Sequence, residues 1–405
     1  MKPLYAKVER TEQSRMLTEM EQVTGLHRKS LLRLLHAPTL ERKKREKGRG
    51  RTYGLAVEQA IVVVWESLDY ICAERLTPAL LSTAQHLARF GGLHLSQEVE
   101  EQLAEISEAT VTRILRKYRS RKQRLPQKGP ERANHVRKPV PMKRIPWDIS
   151  VPGHFEVDLV QHSGESSEGI YAFTLQMVDV ATGWSERIAL LGKGQQAMEG
   201  GFRGILKRLP FAVKELHPDN GSEFFNHHLV RFWGETITGL KLSRSRPYQK
   251  NDNRFVEQKN ETLVRQYFGT IRLETAEQVQ AMNVLYDKMW VYYNFFQPVM
   301  HLQEKICQGD KVIRHWDQAQ TPYQRLLATG ALGDEQMLRL QTLYEQTNPM
   351  TLRKEIYHLL ATLWQLPQAA TSVAYIVLLV FEKGGCRSQS HFHLREQPLF
   401  SHIFI

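Results

Sequence analysis

Apolar residues recur at helical spacing through the first third of the chain and, from about residue 153, at every second position. Met16, Leu17, Met20 and Val23 mark one helical face, Thr24-Gly25 interrupts it, and Leu31, Leu32, Leu34 and Leu35 resume it. Two short helices joined by a Gly-containing turn over 12–36 have the helix-turn-helix layout, and the same pattern also suits a plain helical hairpin. Val57, Ile61, Val64, Trp65 and Leu68 predict a further helix. Thr77-Pro78 reads as the start of the next, because Pro suits a first turn, and Gly91-Gly92 ends it. Val99, Leu103, Ile106, Val111, Ile114, Leu115 and Tyr118 predict a second helix-turn-helix, with Ser107 as the N-cap of its last helix.

The period then changes. Phe155, Val157 and Leu159 alternate with Glu156, Asp158 and Val160, which predicts a strand. Further strands are expected over 168–180, 184–191, 213–217 and 240–243, with helices over 195–208, 225–235 and 252–268. Hairpin-linked strands followed by alternating helices and strands imply an α/β core, a mixed sheet with helices on its faces. Residues 275–296, 335–347 and 351–364 read as helices, and no barrel-like strand pattern is visible between the core and residue 370.

Two basic, Pro- or Gly-broken stretches divide the chain. Residues 41–54 include Glu41-Arg42-Lys43-Lys44-Arg45-Glu46-Lys47-Gly48-Arg49-Gly50-Arg51, a solvated linker that also suits a phosphate backbone. Residues 121–148 carry prolines at 126, 130, 139, 141 and 146 among many Lys and Arg, a stiff extended linker. The division is therefore 1–40, helix-turn-helix; 41–54, linker; 55–120, second helical domain; 121–148, linker; 149–305, α/β core; 306–405, helical region with an atypical tail.

Charge narrows the choice of partner. Hydrophobic content of 41% and charged content of 24% are ordinary for a globular protein, but the formal charge of +12 is not. Such a balance favours polyanions, nucleic acid or an anionic membrane surface. No stretch reaches the roughly 18 apolar residues of a membrane span, and the N-terminus lacks a signal-peptide pattern. A soluble, cytoplasmic protein is expected; a generic basic protein carries such a charge too, so charge alone does not choose the partner. Cys72, Cys307 and Cys386 are odd in number and far apart, which implies no disulfide framework. Arg28, Lys29 and Arg33 on one helix and Arg113, Arg116 and Lys117 on another are the candidate DNA readers.

The candidate chemistry is acidic. Asp158 lies within an apolar strand, Asp219 in the turn His217-Pro218-Asp219-Asn220-Gly221, and Glu257 early in the helix over 252–268. Asp-Asn-Gly is also plain turn chemistry, and Glu257 alone suits a solvated helix face. Asp158 requires a partner, a metal or a changed protonation state. Three carboxylates on three separated elements suit hard divalent cations, which take oxygen ligands. Glu156, Asp179, Glu223 and Glu261 compete for the same role.

Together the motifs carry a resemblance. His217-Pro218-Asp219-Asn220-Gly221-Ser222-Glu223-Phe224 is similar to the second-aspartate motif of the integrase core shared by retroviral integrases and many insertion-sequence transposases. Ser245-Arg246-Pro247-Tyr248-Gln249-Lys250-Asn251-Asp252-Asn253, leading into Glu257, and Tyr293-Asn294-Phe295-Phe296-Gln297-Pro298 resemble its later motifs, and the separation 257 − 219 = 38 is close to the family's. The resemblance covers about 145–305 and implies a ribonuclease-H-like five-stranded sheet, with catalytic, metal-binding Asp158, Asp219 and Glu257. It also implies two Mg²⁺ ions (Mn²⁺ able to substitute), with Asn220 and Glu223 supporting the ligands and Lys250, Arg254, Lys259 and Arg265 holding DNA phosphates. The activity implied is that of a DNA transposase, cutting the element's ends and joining the 3′-hydroxyl to target DNA as a homo-oligomer on paired ends. The rivals are a catalytically inert DNA-binding regulator and a stand-alone nuclease on the same scaffold. The zinc-binding His-His-Cys-Cys module of retroviral integrases has no counterpart here.

Overall fold

Two kinds of core form, each where the sequence period places its apolar side chains. The computed structural model describes residues 2–37, 52–118, 149–219, 224, 227–245, 253–308 and 311–367. The chain divides into two compact units, Met1–Gly54 and Leu55–Ile405.

The first unit holds α1 (Lys2–Tyr5), α2 (Arg10–Thr24) and α3 (Arg28–His36). Tyr5, Leu17, Met20 and Leu31 close its small core. Gly25 ends α2 with φ 66°, a left-handed conformation that glycine adopts without a Cβ clash. Val23, expected on the apolar face, is instead 86% exposed. It lies at the last turn of α2, outside the small core cluster.

The second unit opens with α4 (Leu55–Ser67), α5 (Ala73–Arg89), α6 (Gln97–Glu105) and α7 (Glu108–Tyr118). The helix expected to start at Thr77-Pro78 starts at Ala73, with Pro78 inside it. A tight connection precedes it, in which Asp69 and Tyr70 both have positive φ. Ser107 caps α7 as expected, its hydroxyl accepting from Thr110 N at 3.4 Å.

The strands β1 (His154–Gln161), β2 (Ala172–Asp179), β3 (Ser185–Leu191), β4 (Glu215–Pro218) and β5 (Lys241–Leu242) form one mixed sheet in the order β3-β2-β1-β4-β5. The pairs β1–β2 and β2–β3 are antiparallel, whereas β1–β4 and β4–β5 are parallel. Between the strands lie α8 (Gln195–Arg208) and α9 (His227–Thr236). Then come α10 (Arg254–Lys259), a π-helical segment Asn260–Arg265, α11 (Gln266–Phe268), and α12 (Ala276–Val291) with a second π-helical segment, Tyr292–Phe296. One face of the sheet, with Leu175, Ile188 and Leu190, receives α8 at Gly201, where an added Cβ would meet Leu190 at 2.9 Å. The other face packs Val160, Ala172 and Ala189 against Met282, Leu285, Tyr286 and Met289 of α12.

The region after the core corrects one expectation. β6 (Leu302–Gln308) and β7 (Lys311–Trp316) form an antiparallel hairpin where no strands were foreseen, and it spans the expected boundary at 305. Asp317 anchors its base, accepting from His301 N and pairing with Arg325, each at 2.7 Å. The remainder is helical: α13 (Pro322–Ala328), α14 (Asp334–Gln346) and α15 (Pro349–Gln365). The tail from 370 lies outside the described residues. Among those residues no helix is long and apolar enough to cross a membrane.

The helices α4–α7 sit directly on this core. Tyr292 Oη donates to Ser67 O at 2.7 Å, Gln297 Nε2 to Leu68 O at 2.9 Å, and Arg75 Nε to Pro298 O at 2.6 Å. Arg353 pairs with Asp69 at 2.8 Å. These contacts hold the positive-φ connection in place.

A buried relay crosses the sheet face under α12. His162 Nε2 lies 2.8 Å from Thr174 Oγ1, which lies 2.6 Å from Tyr286 Oη. Burial, and then the charge of Arg265, push the His162 pKa down to about 3. The ring's folded value is below its unfolded one, so the associated stability is present above about pH 6.5 and is lost as pH falls. At pH 5 this should cost about 2 kcal/mol relative to pH 7.5. His162→Gln should remove that part of the acid sensitivity in urea unfolding, and an unchanged pH dependence would contradict it.

Candidate active site

Register brings the first two acids together. In the parallel β1–β4 ladder Glu156 lies opposite His217 and Val157 opposite Pro218. Asp158 follows within β1 and Asp219 is the first residue past β4, near enough that its charge acts on Asp158. A hydrogen-bonded chain secures β4 there: His217 Nδ1 lies 2.7 Å from Ser243 Oγ, and Ser243 donates to Glu215, which in turn lies against His154.

The third acid arrives on α10. Val256 is fully buried, and Glu257 is exposed at the edge of the covered face. Two contacts fix this helix over β1. Asn260 Nδ2 donates to Asp158 Oδ2 at 2.7 Å, and Phe255 N and Val256 N donate to Glu156 Oε2 at 2.7 and 3.0 Å.

Electrostatics records the convergence. The Asp158 pKa is raised, first by burial, then by the charge of Asp219 and, more weakly, that of Glu257. Hydrogen bonds from Leu159 N and Asn260 pull the other way. Glu156 is likewise pushed up, to about 7, by burial. Carboxylates that repel one another are a donor set whose charge a divalent cation would relieve. Among the described residues, no three His, Cys, Asp or Glu side chains are drawn close enough to cage an ion as they stand.

Two of the competing acids, Glu156 and Asp179, have structural partners. Asp179 accepts from Gly153 N, His154 N and both Thr182 N and Oγ1, so it ties the start of β1 to the β2–β3 turn. Glu186, which was not singled out, is buried against Trp184 Nε1, Trp290 Nε1 and Arg208. On the face of Asp158, Gln176 and Arg187 lie across β2 and β3 in one row. Arg187 is buried, with its guanidinium over the Tyr293 ring at 5.6 Å. This polar row was invisible in the sequence because only register assembles it.

The expected DNA contacts divide into two sets. Lys29, Arg33, Arg113 and Arg116 are exposed. Arg28 instead staples α3 to α2 through Ser14 and Thr18, and Lys117 ties α7 to Glu58 of α4 at 2.6 Å. Lys259 is half-buried, its pKa lowered to about 7 by burial and then by the charges of Arg75 and Arg187. Arg265 donates to Gln161 O at 3.0 Å, and Arg254 lies over the Phe255 ring. Asn220, Glu223 and Lys250 lie outside the described residues, as does Asp252; the residue at the N-cap of α10 is Asn253.

Comparison with known proteins adds one firm relationship. Over 317 residues the chain is 34% identical to the uncharacterized protein y4rM of Sinorhizobium fredii strain NGR234, a match covering 78% of this chain and 90% of that protein. The chain belongs to the y4rM family. No family model matches it. Among solved structures, the catalytic core domain of BIV integrase matches at 16% identity with a TM-score of 0.29, over 44% of this chain and 95% of that one. For this y4rM relative the core is described by its own strand order and register, a mixed five-stranded sheet flanked by helices.

One stability consequence follows from the crowded acids. A raised carboxyl pKa means that stability falls as pH climbs through the ordinary carboxylate range toward the folded value. Asp158→Asn keeps an acceptor for Leu159 N and removes the repelled charge. In chelator at pH 8 the variant should be more stable by on the order of 1 kcal/mol, and the gain should vanish near pH 4. A variant less stable than the parent at pH 8 would contradict the electrostatic reading.

Proposed function

We propose that this chain is a DNA transposase with a ribonuclease-H-like core, a metal-dependent polynucleotidyl transferase in which Asp158, Asp219 and Glu257 form the catalytic centre. What supports the reading is that the charges of Asp219 and, more weakly, Glu257 act on the buried Asp158 carboxyl, to which Asn260, just past α10, donates. Asp158, Asp219 and Glu257 would hold two Mg²⁺ ions, with Mn²⁺ able to substitute. When bound, such ions supply charge stabilisation at the attacking and leaving oxygens of a phosphodiester.

The protein's own part is placement. Asn260 orients the Asp158 carboxylate, and the buried Val256 side of α10 turns Glu257 to the open edge, where DNA can enter. Exposed Lys29, Arg33, Arg113 and Arg116 supply phosphate and groove contacts with the element's ends, giving salt-dependent affinity. Joining two ends to one target calls for a homo-oligomer on paired DNA. Water attacks in the cutting step and the freed 3′-hydroxyl in the joining step, so no covalent protein intermediate is required.

Duplexes bearing the ends of the parent element provide the test. Asp219→Asn should lower Mg²⁺-dependent end cleavage and the joining of pre-cut ends by at least about a thousandfold. End binding in gel shifts should stay within about threefold, since phosphate contacts carry it. Full-rate cleavage by the variant would overturn the proposal. Cleavage without joining in the parent chain would identify a stand-alone nuclease, and binding without either would identify an inert regulator.

A further inference from the structure

The first turn of a helix leaves N–H groups without intrahelical partners. In α10 the side chain of Asn253, at the N-cap position, makes no capping bond. Phe255 N and Val256 N instead donate to Oε2 of Glu156, a side chain only 2% exposed on the neighbouring strand. A carboxylate at this place also meets the positive end of the helix dipole, and its bonds are charge-assisted.

The positions are what give this cap its consequence. Glu156 precedes Asp158 by two residues on β1 and so shares its face. Phe255 and Val256 precede Glu257 by two and one. A single buried side chain therefore sets how the strand bearing Asp158 meets the helix bearing Glu257. We propose that Glu156 is a positioning residue that fixes the Asp158–Glu257 geometry by anchoring the start of α10 to β1. The inference rests on the catalytic reading of Asp158 and Glu257; the anchoring itself does not.

Glu156→Gln keeps an acceptor oxygen at the same reach, Glu156→Ala removes it, and Glu156→Asp keeps the charge but withdraws it by one methylene. The activity-independent readout is hydrogen exchange of the 254–260 backbone in the full chain without metal. Exchange there should rise about tenfold or more in the Ala and Asp variants and stay near the parent value in the Gln variant. With Mg²⁺ and element ends, kcat for cleavage should fall about a hundredfold in Ala and Asp, at nearly unchanged end affinity, and recover to within about fivefold in Gln. Parent-like exchange and turnover in both Ala and Asp would overturn the proposal, as would a Gln variant as impaired as Ala. If Ala fails to fold, the Asp and Gln pair decides. Glu257→Gln is the control: full activity in that variant sinks the catalytic reading, while the exchange data still decide whether Glu156 anchors the helix.

Discussion

The parallel ladder between β1 and β4 is the contact on which the rest of the site depends. It joins residues about sixty positions apart and sets Val157 against Pro218, so that two acids of like charge end beside one another. Left to itself, such a pairing is unfavourable, because each carboxylate raises the other's cost of ionisation. The fold maintains it with hydrogen bonds around the strands: to Asp179 at the head of β1, through Ser243 to Glu215 beside β4, and from Asn260 to Asp158. A site that stores repulsion at the expense of stability is the expected signature of function.

The helical module extends the same economy of contacts. Because α4–α7 bond to Gln297, Pro298, Tyr292 and Arg353 of the core unit, the exposed basic face of α7 is carried on the same compact body as the acids. The first helical unit, with exposed Lys29 and Arg33, is separate.

Much of this was legible in the residues. Period two marked β1 through β3, the helix over 195–208 was found to its ends, and helical spacing placed Val256 inward and Glu257 at the rim. What failed did so for physical reasons. The sequence over β6 and β7 lacks a clean period of two, and its cue is the Gly309-Asp310 dipeptide between Ile306 and Val312-Ile313. Pro78 looked like a helix start because local propensity favours it there, but packing of Leu76 and Ala73 against the module pulled the helix back a turn. The partners of Arg28 on α2 were not legible, since charge and helix position cannot say which way a long side chain turns. Glu156 was seen only as a rival acid, since its partners are backbone N–H groups about a hundred residues away.

Anomalous diffraction from crystals grown with Mn²⁺ bears most directly on the claim that these acids form one metal centre. The account expects Mn²⁺ peaks enclosed by the carboxylates of Asp158, Asp219 and Glu257, lost in Asp219→Asn. Peaks elsewhere on an intact sheet, or none at saturating Mn²⁺ with the three carboxylates well ordered, would contradict it.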